Sequence, residues 1–204
     1  MKPFDFANDL TVRTRFLPHW RQAGCLYHVV VRLADSLPRE KQRQLAFERR
    51  YWHRWHKEPY SPAEAREYNR LFSERVDRWL DDGHGQCWLN QPVCAATVAG
   101  AIAHFRGRRY HLDDWVIMPN HAHVLVAPLQ GWELGRILHS WTSYTANRIN
   151  TLVGRTGQLW QHEPYDHIVR SEEELVRTRE YLRSNPSAIG LKHYVASWHP
   201  TWEG

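Results

Sequence analysis

Trp115-Val116-Ile117-Met118-Pro119-Asn120-His121-Ala122-His123-Val124-Leu125-Val126 reads as a buried strand, a tight Pro-Asn turn and a second strand that opens with two histidines. Alternate side chains of a strand point to opposite faces, so His121 and His123 share one face. Two neutral imidazoles side by side at a strand edge supply two ligands of a divalent-metal site. A third ligand and a nucleophile would complete it, and Tyr181-Leu182-Arg183-Ser184-Asn185 offers both.

Working outward, Tyr110 to Met118 and His121 to Ala127 pair as a hairpin behind the basic turn Gly107-Arg108-Arg109, and residues 92–106 form the helix before it. Leu26 to Leu33, rich in β-branched residues, is the first strand, ended by Asp35-Ser36-Leu37-Pro38. Leu134 to Asn150 has helical spacing, with Leu134, Ile137, Leu138, Trp141 and Tyr144 turned inward. Residues 165–169 are a short strand. Ser171-Glu172-Glu173-Glu174 is a capping box opening a helix that runs to about Ser184 and is closed by Pro186. Residues 1–24 are an irregular basic arm carrying Arg13, Arg15, Trp20 and Arg21.

Between the first strand and the next helix, residues 39–82 read as an inserted helical hairpin. Ser61-Pro62-Ala63-Glu64 caps its second helix, Tyr68, Leu71, Phe72, Val76, Trp79 and Leu80 follow at helical spacing, and Asp82-Gly83 stops it. Its eleven Lys/Arg against nine Asp/Glu suit a solvated helical pair with a buried aromatic stripe. Arg49-Arg50 beside Trp52 and Trp55 also suit a DNA-contacting accessory. The order strand, inserted helices, helix, strand, strand, helix, strand, helix gives an α+β, ferredoxin-like sandwich. Its sheet is mainly antiparallel with four to five strands, its helices on one face, in a single domain over residues 1–204.

Composition narrows the function. Of 204 residues 42% are apolar, enough for a core, and eleven tryptophans and nine tyrosines leave rings over to stack on bases. A net charge of +5 favours a polyanionic partner. Three cysteines, Cys25, Cys87 and Cys94, with no C-x-x-C, make neither a disulfide framework nor a zinc knuckle and suit free thiols in a reducing compartment. No apolar run approaches a membrane span, and the N-terminus lacks the apolar stretch of a signal peptide, so the expected location is cytoplasmic, with nucleoid association and no membrane partner.

On the last helix Leu175 and Leu182 mark the buried stripe, and Tyr181 and Asn185, four apart, share a face at its edge. A tyrosine can attack phosphorus and store the bond as a phosphotyrosine, but with a pKa near 10 it needs help. A divalent ion on the scissile phosphate gives charge neutralisation and orientation. The amide oxygen of Asn185 is a hard donor suited to Mg²⁺ or Mn²⁺ beside two histidines. Each piece alone is weak: H-x-H is common in a chain with fourteen histidines, and a tyrosine at a helix edge is usually packing.

Taken together, several runs resemble the single-tyrosine transposases of the HUH endonuclease superfamily, and more narrowly the REP-associated tyrosine transposases. They are Tyr27-His28-Val29; Met118-Pro119-Asn120-His121-Ala122-His123; Ser143-Tyr144-Thr145-Ala146-Asn147; Gly157-Gln158-Leu159-Trp160-Gln161; Tyr165-Asp166-His167-Ile168-Val169-Arg170; and Tyr181-Leu182-Arg183-Ser184-Asn185-Pro186. They span most of residues 26–192 outside the insert. The resemblance implies a metal-dependent nuclease on single-stranded DNA beside a hairpin, at REP-like palindromes, working as monomer or homodimer. It makes His121, His123 and Asn185 ligands of Mg²⁺ or Mn²⁺ and Tyr181 the nucleophile, left on the 5′ phosphate with release of a 3′-OH. Thr142 stands where many relatives carry a lysine, and the 39–82 insert lies outside the minimal fold.

Further DNA contacts are expected from Arg13, Arg15, Trp20 and Arg21 on the N-terminal arm, His28 and Arg32 on the first strand, and Arg108 and Arg109 in the basic turn. Tyr165 reads as a core or stacking residue, and Trp160 and Gln161 as packing beneath the site. The competing functions are a hairpin-binding regulator in which cleavage is vestigial and a metal-dependent hydrolase of a small substrate. The second lacks a signature such as H-E-x-x-H.

Overall fold

The computed structural model describes residues 11–14, 18–22, 24–57 and 60–199. They fall into two compact units, one of residues 1–34 with 88–204 and one of residues 35–87.

The larger unit is built on a five-stranded sheet in the order β6-β3-β5-β4-β7, with every pairing antiparallel. Its strands are β3 (Tyr27–Arg32), β4 (Tyr110–Ile117), β5 (His121–Pro128), β6 (Tyr165–Ile168) and β7 (Val195–Ser197). The helices are α4 (Pro92–His104), α5 (Leu134–Leu152) and α6 (Glu172–Ala188). An α+β fold is therefore observed.

Two apolar layers sandwich the sheet. Tyr27, Val29, Val31, Trp115, Ile117, Ala122, Val124 and Val126 meet Val98 and Ile102 of α4 and Leu134, Ile137, Leu138 and Trp141 of α5. The other face, with Val116, Leu125 and Ala127, meets Leu182 of α6. The expectation of helices on one face holds for α4 and α5 only. Leu125 and the two histidines are in phase on β5, so the face that carries the histidines is the one α6 covers.

β4 contains a bulge. Leu112 pairs with Val126 but Trp115 pairs with Val124, so three steps on β4 match two on β5. The extra residue turns Leu112 and Trp115 to the same apolar layer and frees Asp113 and Asp114 from it.

Three expectations need correction. Tyr144 is 58% exposed, because at position 144 the helix has already turned past the stripe set by Trp141, Thr145 and Ile149. Pro186 lies inside α6, which runs on to Ala188. A proline costs one backbone hydrogen bond in the last turn but keeps a helical φ, and the stop comes from Gly190 at φ +69°. Residues 1–24 are not irregular throughout: β1 (Thr11–Thr14) and β2 (Pro18–Arg21) pair antiparallel. Thr11-Val12-Arg13-Thr14 has the β-branched content of a strand, and Pro18 sits at a strand start, where its missing N–H is tolerated.

The smaller unit holds α1 (Arg39–Trp55), α2 (Pro62–Asn69), a π-helical turn (Arg70–Glu74) and α3 (Arg75–Asp81). The Ser61–Glu64 capping box forms in full. Leu45, Trp52 and Phe72 are its core, lined by Tyr60, Tyr68, Leu71, Val76 and Trp79. The base of the unit closes where the Gln86 N–H donates to Asp35 at 3.0 Å and Gly85, at φ +88°, passes so close that a Cβ would meet the Asp35 carbonyl oxygen at 2.6 Å.

Candidate active site

His121 and His123 lie on central strand β5, paired with Arg32 and Val30 of β3 on one side, and both are buried. Their Nε2 atoms are 3.0 Å apart. That is the spacing of two neighbouring ligands about 2.1 Å from one ion at roughly a right angle. Asn120, at the end of the turn, accepts from His121 Nδ1 at 2.7 Å, which leaves the His121 Nε2 lone pair facing His123. On its other side His123 Nδ1 meets His28 Nε2 at 3.1 Å, with the two rings stacked at 5.2 Å. Burial, first of all, pulls His28 and His121 down to about 3 and His123 well below its ordinary 6.5, so all three rings are neutral at pH 7.

The row continues across the sheet. His167 of β6 pairs with His28 in register, and its Nε2 meets Glu174 of α6 at 2.7 Å. Glu174 Oε2 also accepts from the Arg170 N–H at 2.8 Å.

α6 brings Tyr181 to this face. Its ring stands edge-on to His123, centroids 5.4 Å apart at 83°. Asn185, one turn on, is 2% exposed, and neither its amide oxygen nor its amide nitrogen has a hydrogen-bond partner among the described residues. A buried amide with nothing to bond is costly, and a ligand that used its oxygen would remove that cost.

Two arginines fix α6 on β4. Arg179 donates to both carboxylate oxygens of Asp113, at 2.9 and 2.6 Å. Arg183 donates to Asp114 at 2.7 Å and to the His199 carbonyl at 2.8 Å. Asp114 is fully buried and also accepts from the His199 N–H. The pairs sit four residues apart on α6, on either side of Tyr181 in sequence. Sequence reasoning missed all four residues. The signal was Asp113-Asp114 between the apolar Leu112 and Trp115, which asks for two cations.

The remaining expected residues spread more widely. Arg32 is on the histidine face, in register with His121. Arg109 stacks on Phe105 and Trp132, 3.3 and 4.5 Å from their ring centres, while Arg108 is exposed. Arg13 lies in β1 and Trp20 and Arg21 in β2, pairing with Val12 and Thr11, while Arg15 lies outside the described residues. Tyr165 is level with Val30, on the histidine face. Trp160 packs in the layer of α4 and α5, donating to Thr145 at 2.8 Å. The Thr142 hydroxyl bonds its own helix at Leu138.

Among the described residues no group of three or more His, Cys, Asp or Glu gathers as a metal site. No described helix is long and apolar enough to cross a membrane, and Cys25, Cys87 and Cys94 are free.

No family model matches the chain. An uncharacterised protein of Haemophilus influenzae is 28% identical over 123 residues, covering 50% of this chain and 61% of that protein's length. Among solved structures, a REP-associated tyrosine transposase bound to a REP hairpin aligns at 13% identity and a TM-score of 0.43, over 86% of this chain and 76% of that one. A Deinococcus radiodurans protein provisionally assigned as a transposase aligns at 12% identity and a TM-score of 0.32, over 91% of this chain and 98% of that one. The family that the sequence motifs resemble is thus represented among the structural neighbours. At these TM-scores neither likeness bears on fold or activity, which rest on the chain's own residues.

Proposed function

We propose that the protein is a metal-dependent endonuclease and strand transferase of the REP-associated tyrosine transposase kind, acting on single-stranded DNA beside a hairpin. The observation that carries this reading is Tyr181 standing against His123, with the two histidine Nε2 atoms 3.0 Å apart and a buried, unsatisfied Asn185 one turn away.

His121, His123 and the Asn185 oxygen would hold Mg²⁺ or Mn²⁺, which when bound neutralises charge on the scissile phosphate and orients it. The chain's own part begins with tautomers. Without an ion, three neutral rings are satisfied if His28 Nε2–H donates to His123 Nδ1, His123 Nε2–H donates to His121 Nε2, and His121 Nδ1–H donates to Asn120. For His123 to offer Nε2 as a ligand its proton must sit on Nδ1, donating to His28 Nε2, and the His28 proton must move to its own Nδ1. His28 thus positions rather than reacts.

Tyr181 Oη attacks the phosphorus, giving up its proton to solvent. The bond from phosphorus to the 3′ oxygen breaks and that oxygen is protonated, leaving a 5′-phosphotyrosine and a free 3′-OH. The reverse attack by a 3′-OH regenerates the tyrosine and rejoins strands with no external energy source. The Arg–Asp clamps hold the Tyr181 turn of α6 over the sheet, so the nucleophile is placed before substrate arrives.

The test is incubation of the protein with labelled single-stranded hairpin DNA, with and without Mn²⁺ or Mg²⁺, resolved on a denaturing protein gel. A labelled adduct that needs the ion and disappears in Tyr181→Phe, while DNA binding persists, is expected. Tight hairpin binding without adduct under any divalent ion would make the protein a binding module instead.

A further inference from the structure

The exposed face of α1, in the smaller unit, sorts its side chains in a way the fold of that unit does not use. Leu45 and Trp52 are buried. Arg49 donates to the Phe72 carbonyl at 3.0 Å, Lys41 pairs with Asp82 at 3.0 Å, and Glu48 pairs with Arg75. These residues hold the unit together.

The remainder points outward. Phe47 is 63% exposed, Tyr51 60% and Trp55 64%, spaced four apart on one helical row. Arg43, Arg50 and Arg54 are exposed as well. At 3.6 residues per turn the three arginines fall within roughly 40° of the helix circumference, and the three aromatics occupy about the next 80°. A row of guanidiniums therefore runs beside a row of rings along about 12 Å of helix. The rings of Tyr51 and Trp55 are 6.2 Å apart, and the Arg54 guanidinium lies 5.8 Å from the Trp55 ring centre. Glu48, the only carboxylate between Arg43 and Arg54, is taken by Arg75.

We infer that this face of α1 docks single-stranded nucleic acid, with bases stacking on Phe47, Tyr51 and Trp55 and phosphates against Arg43, Arg50 and Arg54. Three large exposed rings in a row are costly for a surface with no partner. Their chemistry fits any base, because every base has a stacking face. The parallel arginine row matches a charge repeated along a backbone. An apolar protein partner would have to desolvate three guanidiniums that no described carboxylate offsets. A bilayer would need a wider apolar face than one row of three rings, and the opposite side of α1 is already committed to Leu45 and Trp52. This surface lies in the other compact unit from the histidine face, and its role does not depend on the catalytic reading.

The experiment is fluorescence anisotropy of the full chain with a labelled short oligothymidylate, which forms no hairpin. Phe47→Ala, Tyr51→Ala and Trp55→Ala combined should weaken binding at least about tenfold. Arg43→Gln, Arg50→Gln and Arg54→Gln combined should lower the slope of log affinity against log salt by about 2. Both variants should still form the Tyr181 adduct at saturating hairpin DNA, and Tyr181→Phe should bind oligothymidylate as the wild type does. Loss of oligothymidylate binding in the α1 variants supports the inference even if no adduct is ever seen. Unchanged affinity overturns it. So does a change confined to phosphatidylserine vesicle binding or to self-association. Should a variant misfold, photocrosslinking of iodouracil-containing oligonucleotide to the wild type decides: crosslinks within residues 43–57 support the surface, and crosslinks wholly elsewhere refute it.

Discussion

On the proposed reading, His28 sets where its neighbour's proton sits. Its Nε2 is 3.1 Å from His123 Nδ1, on the side of that ring away from His121. A ring of the same size without nitrogens would keep the packing and lose the control. His28→Phe should therefore lower Mn²⁺ affinity by about 10- to 100-fold, read by titration calorimetry or by the free-ion electron paramagnetic resonance signal. Unchanged affinity would make His28 a packing residue. The four residues of the proposed site could be singled out in sequence because two short-range rules pair them: alternation puts His121 with His123, and i, i+4 puts Tyr181 with Asn185. His28 could not, because its contact is a diagonal across two strands 95 residues apart and exists only once the β3–β5 register is set.

At the scale of elements, the decisive contact is α6 on β4. Asp114 is fully buried with Arg183 as its cation. Truncating it leaves a guanidinium and the His199 N–H without their acceptor, and α6 loses one of its two fixings to the sheet. Asp114→Ala should cost about 3 kcal/mol, the low end for breaking a buried pair because Arg183 keeps some solvent contact. The loss should show in urea unfolding, with adduct formation falling further than the folded fraction. A loss of stability with the adduct rate per folded molecule unchanged would remove the clamp from the positioning of Tyr181. The strands and helices between residues 26 and 184 were readable from periodicity, the helices between Pro38 and Gly83 among them, but β1, β2 and β7 were not. The side of the sheet that α6 covers was not. It follows from the phase of Leu125 and from a bulge at Asp113-Asp114, and a bulge is one residue of extra length that periodicity smooths over.

Across the whole molecule, composition showed the basic charge and the surplus of aromatics, but not their sorting. Trp52 and Trp55, three residues apart, end in a core and in solvent. The histidine row also gives the molecule a response to acid. His28 and His121 are held at about 3 and His123 is lowered, against about 6.5 when unfolded. The unfolded chain thus takes up protons that the folded one refuses, so the row's contribution to stability is full above pH 6.5 and falls as pH drops from 6.5 towards 3; the Asp77 carboxyl, raised by burial to about 8, works in the opposite sense. Urea midpoints of the metal-free protein should follow that course, and His123→Leu should flatten it. The same pH course in the wild type and in His123→Leu would show that the ring is not held neutral.

The central claim is that one tyrosine among nine, Tyr181, carries the DNA. The most direct measurement is mass spectrometry of the tryptic digest after reaction with hairpin DNA and Mn²⁺. The expected result is nucleotide mass on Glu180-Tyr181-Leu182-Arg183, attached through a 5′ phosphate. Nucleotide on the peptide bearing Tyr165, the other tyrosine on the histidine face, or attachment through a 3′ phosphate, would contradict it.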